Sequence, residues 1–387
     1  MTTPVEAADK LVATATRIAE QVAGPVADDV DRKARFPVEA IDALRAERAL
    51  SALVPVELGG DGLTVGQLSK AVSALARQCA STAMVFAMHH MQSASLVRHG
   101  HSEFLRDVAR QLAERQLLLA SATTELGVGG DLRTSHCAVE RSGGRFRLEK
   151  QAPVISYGAY ADMVLTTARR SPESPPNDQV LVVCAPPGLE LEETGVWDTL
   201  GFRGTVSPGF VLRAEGDERC VIDDQFSDVL EHTMLPSSHV LWSSVWLGLA
   251  AAAVERARRF VRTEARKNPG TTPPSAIRLA ELVAAFGQME ALVADASRRY
   301  DECWDDGEAL SSMGFAIAMN SLKVSASTMV VDIVGRAMVI CGMAGYREDS
   351  PYSLGRILRD AHGAAVMVNN DRILANNAQM LLVHKDG

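Results

Sequence analysis

A chain of 387 residues with 47% hydrophobic and 22% charged side chains holds enough apolar material for a large core, which excludes a disordered or low-complexity protein. Its 48 acidic against 39 basic residues give a net charge of −9, and the basic residues are scattered, which argues against a nucleic-acid binder and against a binder of anionic membrane surfaces. The length suits two or three domains. Residues 1–22 lack the basic start and apolar block of a signal peptide, so a cytoplasmic protein is expected. The cysteines at 79, 137, 184, 220, 303 and 341 form no CxxC pair and read as reduced core thiols, supporting neither a disulfide framework nor a metal site.

Apolar residues recur three and four apart over 5–27, 38–50, 65–79 and 82–99, which predicts a helical domain over 1–118. Phe36-Pro37 suits a helix start, and the glycines of 57–62 force a loop. From 119 to 235 the texture changes to a β domain. Short β-branched or apolar runs at 117–123, 145–149, 163–167, 180–185 and 211–214 are separated by turn residues, and the prolines of 171–178 mark a surface loop. Helical periodicity returns over 236–387, in segments 240–267, 274–305, 308–341 and 357–382. The stretch 240–254 is broken by Ser243 and Ser244 and is shorter than the ~20 residues of a membrane span, so it reads as a buried helix. No 20–50-residue repeat and no βαβ alternation occurs, which argues against a solenoid and a Rossmann domain, and the glycine spacing at 127–130 does not fit a phosphate loop.

Several segments, in order, resemble motifs of the acyl-CoA dehydrogenase superfamily of flavoproteins. Phe36-Pro37 with Leu53-Val-Pro-Val-Glu-Leu-Gly-Gly-Asp-Gly62 is similar to the N-terminal helix pair and its "vPeelGG.G" loop. Ala122-Thr-Thr-Glu-Leu-Gly-Val-Gly-Gly-Asp131 resembles "TEPgaGSD", and Val154-Ile-Ser-Tyr-Gly158 stands at the place of "WITNG". Leu200-Gly-Phe-Arg-Gly-Thr205 resembles "lGmRgt", while Ile340-Cys-Gly-Met-Ala-Gly-Tyr346 and Arg359-Asp360 resemble "ilGG.Gy" and "RDa". The resemblance implies an N-terminal helical domain, a β-barrel-like middle domain and a C-terminal four-helix bundle, with FAD held between domains and across a subunit interface. It therefore implies a homodimer or homotetramer, served by an electron-transfer partner or a flavin reductase.

Carried over residue by residue, the resemblance places Thr123, Thr124 and Ser156 against the flavin, where small hydroxyls supply hydrogen bonds without crowding the ring. Gly130 replaces the serine of "GSD" and Val154 the tryptophan of "WITNG". Arg266 matches the basic residue that reaches a neighbour's cofactor, and Gly342, Met343 and Asn370 complete the expected flavin contacts. The reaction implied is FAD-dependent dehydrogenation of an acyl-CoA or carrier-bound acyl thioester at Cα–Cβ, which needs a base at Cα. The usual glutamate position is Val368, and the alternative site at 237–240 has no carboxylate. His239 is the first substitute base and Asp371 the second, with His89, His90 and His362 as further pocket candidates. Two alternatives stand beside this reading: a flavin monooxygenase using reduced flavin and O2, with histidines in place of the glutamate, and a non-catalytic flavin or acyl-thioester binder.

Overall fold

Helix α1 (Pro4–Ile18) begins where Thr3 accepts the Glu6 N–H and the Glu6 carboxylate accepts the Thr3 N–H, with Pro4 in the first turn. The computed structural model describes residues 3–129, 131–267 and 269–384. The single helix expected over 5–27 is broken in two. A π-turn, Ala19–Ala23, precedes α2 (Gly24–Arg32), because Pro25 has no N–H to continue the ladder. Helix α3 (Val38–Ala46) follows Pro37, and α4 (Val65–Ala76) opens on a second capping box formed by Thr64 and Gln67. Helix α5 (Ala80–His99) is buried along nearly its whole length, and α6 (Glu103–Arg115) closes this part.

Eight strands follow: β1 (Leu119–Ala122), β2 (Glu140–Ser142), β3 (Arg145–Ala152), β4 (Met163–Arg169), β5 (Gln179–Cys184), β6 (Leu189–Glu193), β7 (Phe210–Asp217) and β8 (Val221–Ile222). The barrel-like middle is built as two four-stranded sheets, ordered β1-β4-β5-β8 and β2-β3-β7-β6. Among the described strands only β1 and β4 pair in parallel, with one further parallel bridge from Ala138 to Arg169. Strands β4 and β5 are buried on both faces, whereas β3 alternates between solvent and core, as a half-covered antiparallel strand does.

The expected change from strands to helices at 235/236 falls inside a helix. Helix α7 (Phe226–Val229) continues through a π-turn, Leu230–Met234, into α8 (Leu235–Lys267). Pro236 does not start this helix; the wider turn just before it absorbs its missing donor and its ring. Helices α9 (Ser275–Cys303), α10 (Gly307–Leu310), α11 (Met313–Cys341), α12 (Met343–Tyr346), α13 (Gly355–Gly363) and α14 (Asn370–Leu381) complete the chain. Helix α8 packs on α4, α5, α9 and α11 and carries the fully buried Trp246. Two helices are long and apolar enough to cross a membrane by length and composition alone. One, Phe226–Lys267, has 89% of its most apolar window buried; the other, α11, has 44% buried.

Ion pairs from α13 lock the three parts together. Arg359 makes a bidentate pair with Asp31 of α2, at 2.5 and 2.9 Å, and Arg356 pairs with Asp28 at 2.9 Å. The neighbouring Asp360 accepts the Phe202 N–H at 2.6 Å, tying α13 to the 197–206 loop of the middle region. Burial pushes the Asp360 carboxyl up to about 6, against the pull of Arg356.

Candidate active site

A cavity of about 560 Å3 opens where α5, the end of β1, the 197–206 loop, α8 and the 363–368 segment converge. Its walls differ in chemistry. The sheet side presents hydroxyls: Ser121, Thr123, Thr124, Ser156, Thr205 and Ser207. The helix side presents thioethers: Met84, Met88 and Met91, four and three residues apart on α5, with Met234 beside them and Met367 across the cavity. Among the described residues no Asp, Glu, Lys or Arg lines the cavity, and His362, exposed at its mouth, is the one titratable lining side chain.

The hydroxyls are held at defined points. Thr124 Oγ1–H donates to the Val154 carbonyl at 3.2 Å, and the Ser207 hydroxyl donates to Ser156 Oγ at 2.9 Å, so the Ser156 proton is left for a ligand. Among the described residues the Thr123 hydroxyl has no hydrogen-bond partner; only its carbonyl is engaged, accepting from the Thr167 hydroxyl at 3.5 Å. Beneath the turn, the buried Glu125 carboxylate accepts the Ser135 hydroxyl and the N–H groups of His136 and Cys137, and faces the buried Lys150 ammonium at 3.6 Å. Lys150 in turn donates to both oxygens of Thr167 on β4. This paired network fixes the loop that carries Thr123 and Thr124 to the sheet.

Backbone strain gathers around the same cavity. Of the seven non-glycine residues with φ in the left-handed region among those described, Phe202 (50°) and Val368 (51°) line it, and Tyr157 (44°) and Val206 (40°) adjoin lining hydroxyls. For a β-branched residue such as Val368 this conformation persists only when the surroundings enforce it. The enforcing group is Lys323 of α11, fully buried, which donates to the Val368 carbonyl at 2.5 Å and to Asn370 Oδ1 at 2.7 Å. Burial pulls the Lys323 ammonium down to about 8. Close approach also fixes Gly201, whose added Cβ would lie 2.3 Å from the Arg359 carbonyl oxygen, and Gly204, 2.4 Å from a Val30 methyl.

Residues 6–116 match the model of the acyl-CoA dehydrogenase N-terminal domain, and residues 231–378 match that of its C-terminal domain. The chain belongs to the acyl-CoA dehydrogenase family. It is 27% identical to the amino sugar nitrososynthase DnmZ of Streptomyces peucetius, over 88% of this chain and 84% of that protein. It is 25% identical to the cyclohex-1-ene-1-carbonyl-CoA dehydrogenase of Geobacter metallireducens, over 92% of each. The fold superposes on FMN-bound TdsC from Paenibacillus sp. A11-2 with a TM-score of 0.85 at 19% identity, covering 98% of both chains.

In this acyl-CoA dehydrogenase family member the cavity collects Thr123, Thr124, Ser156, Val368 and His362 from the residues singled out in the sequence. It does not collect the two substitute bases. The His239 ring is 1% exposed, is held by the Met319 carbonyl at Nδ1, and is pulled down to about 4 by burial, so it is a neutral core group outside the cavity lining. Asp371 is exposed in the first turn of α14, where the Asn369 side chain accepts its N–H. His89 and His90 are buried and also off the lining. His89 Nδ1 accepts the Leu119 N–H and its Nε2–H donates to the Leu50 carbonyl, which fixes a neutral tautomer that burial holds near 4. His90 is likewise pushed well below its ordinary value by burial.

Among the expected cofactor contacts, Asn370 lies behind the wall, bonded to Lys323 and Ser327. Arg266, Gly342 and Met343 are on the surface, the glycine with φ 56° at the end of α11. Gly130 lies outside the described residues. Sequence reasoning missed Gln92, Lys323 and the α5 methionines. A lone lysine in the apolar run of α11 was the available signal for Lys323, whereas the methionine spacing is indistinguishable from that of an ordinary core helix.

Proposed function

We propose that the chain is an oxygen-using flavin monooxygenase of this family, with reduced FMN or FAD delivered by a partner flavin reductase. The observation that carries the reading is the absence, among the described residues lining the cavity, of any carboxylate, lysine or arginine. Dehydrogenation of an acyl thioester, the reaction first expected, needs a proton acceptor at Cα; the usual position is Val368 and neither His239 nor Asp371 reaches the lining. The reactions named for DnmZ and for the dibenzothiophene monooxygenase of Mycolicibacterium goodii, 24% identical over 81% of this chain, agree with this choice.

The hydroxyl wall fits a flavin: the unbonded Thr123 hydroxyl and the spare Ser156 proton face the cavity side where a planar ring with a polar edge is to be held. When bound and reduced, the flavin supplies two electrons to O2, one oxygen atom going to substrate and the other leaving as water. Thr123, Thr124 and Ser156 orient the ring edge. The thioether wall excludes water from the reacting atoms, and His362 moves the proton at the mouth. A second copy covering the half-buried α11 would make the homodimer or homotetramer, and the exposure of Arg266 and of the Gly342–Met343 turn leaves them available to a neighbour's cofactor on that reading.

The test is made on the full-length protein loaded with FMN or FAD. Mixed anaerobically with a panel of short- to long-chain acyl-CoA thioesters, its flavin absorbance stays unbleached. Reduced by a separate reductase and NADH, the complex consumes oxygen and places one 18O atom from 18O2 in product. Anaerobic bleaching by any thioester overturns the monooxygenase reading.

A further inference from the structure

On the proposed reading the flavin takes the hydroxyl wall and the substrate the helix side of the cavity, where two lining residues are chemically incomplete. Gln92 lies on α5, lines the cavity and is 2% exposed, and its Oε1 is buried without a partner among the described residues. An unpaired buried group forfeits its bonds to water and gains nothing in return; among the described residues ten buried side-chain atoms lack a partner, and of these only Gln92 Oε1 and one atom of Trp242 belong to residues that line the cavity. On α8, Trp242 also lines the cavity, 8% exposed, and its indole N–H has no acceptor among the described residues. Two unpartnered polar groups on two different helices, both at one cavity, point to a ligand that completes them.

The rest of the substrate end defines the body of that ligand. Met84, Met88, Met91 and Met234 give a polarizable, deformable surface, and the lining carries no charged side chain among the described residues to pair with an ionic group. Thioether sulfur packs favourably against aromatic ring edges, and a charge brought here would be desolvated without compensation. Gln92 Oε1 needs a donor, which an ester, thioester or ether group lacks.

We infer that Gln92 and the methionine face of α5 form the recognition site for a neutral aromatic or heteroaromatic substrate bearing one hydroxyl or ring N–H, which donates to the Gln92 amide. The inference names the substrate class of the proposed monooxygenase site and takes its chemistry from that reading, but the binding it predicts needs no turnover.

Binding to the full-length protein carrying oxidised flavin is measured by titration calorimetry with 2-naphthol, naphthalene and 2-naphthoate. The hydroxyl makes 2-naphthol bind about five- to tenfold more tightly than naphthalene, the scale of one hydrogen bond, and 2-naphthoate does not bind measurably. In Gln92→Leu and Gln92→Met the 2-naphthol affinity falls to that of naphthalene, naphthalene is unchanged, and the melting temperature holds or rises because an unpaired buried amide oxygen is gone. A variant that keeps the naphthol preference, 2-naphthoate binding as tightly as 2-naphthol, or no binding by either neutral probe overturns the inference. Each of these leaves the oxygen-uptake and bleaching results untouched, so failure here is distinct from failure of the monooxygenase reading.

Discussion

The two walls of the cavity are held up by opposite means. The hydroxyl wall sits on strand ends and loops, and it is fixed by a buried ion pair, Glu125 with Lys150, and by the Asp360 contact to Phe202. The thioether wall sits chiefly on the continuous helix α5, with Met234 at the end of the π-turn that leads into α8, and none of its side chains is anchored by an ion pair. Irregular backbone needs charged anchors to hold a hydroxyl in place, whereas a helix delivers side chains at fixed spacing without them. The polar wall should therefore fail through loss of single buried contacts, and the apolar wall should resist them.

The largest effect is expected at the anchor. Glu125→Leu strands the Lys150 ammonium and frees the loop bearing Thr123 and Thr124, costing about 3–5 kcal/mol in urea unfolding and abolishing flavin retention. A loss below about 1 kcal/mol would break the contrast between the walls. At the seam, His362→Asn should lower turnover by about two orders of magnitude with flavin affinity unchanged, the lower end of proton-transfer catalysis. Rates within twofold of the parent would remove His362 from the chemistry.

Asp360 gives a pH test of the loop joint. Its folded value of about 6 lies above the ordinary 3.8, so the folded state holds the extra proton between these values. Its stabilising contribution is complete below pH 4 and is lost as pH rises through 6. Thermal melts of Asp360→Asn against the parent should shift in favour of the variant across that window, each unit being worth about 1.4 kcal/mol. A difference independent of pH would show that Asp360 is not protonated there. The smallest effect is expected for Lys323→Met, about 1 kcal/mol, since two hydrogen bonds are lost while a buried charge is also removed. Hydrogen exchange should quicken at residues 364–369 and stay as it was along α5.

The sequence made most of this visible where the determinants are local. Thr3 and Thr64 with their partners three residues on mark helix starts, and the Thr123–Thr124 and Ser156 segments reached the cavity because their motifs are turns whose geometry is set within a few residues. Strands β2, β6 and β8 went unread: the first two are short and charged, and the third has two residues. The π-turns before Pro25 and Pro236 were hidden for a different reason, since a proline marks a helix start as readily as a helix defect. His239 was misjudged in position because one helical residue of rotation, about 100°, separates Ser238, which lines the cavity, from a ring turned into the bundle. Gln92 shows the limit most clearly, since only three-dimensional accounting reveals an amide oxygen without a partner.

The methionine wall also sets how long a catalyst of this kind lasts. On the proposed monooxygenase reading, reduced flavin that met O2 without substrate would release peroxide into the cavity, whose lining carries thioethers, while burial pushes the Cys137 and Cys184 thiols, which are off the lining, up to about 12 and disfavours their thiolates. Idle cycling should convert Met84, Met88 and Met91 to sulfoxides ahead of oxidation of Cys137 or Cys184, turning a soft apolar surface polar. Methionine sulfoxide reductase activity would restore it, so the enzyme's working lifetime becomes a matter of repair as much as of folding stability.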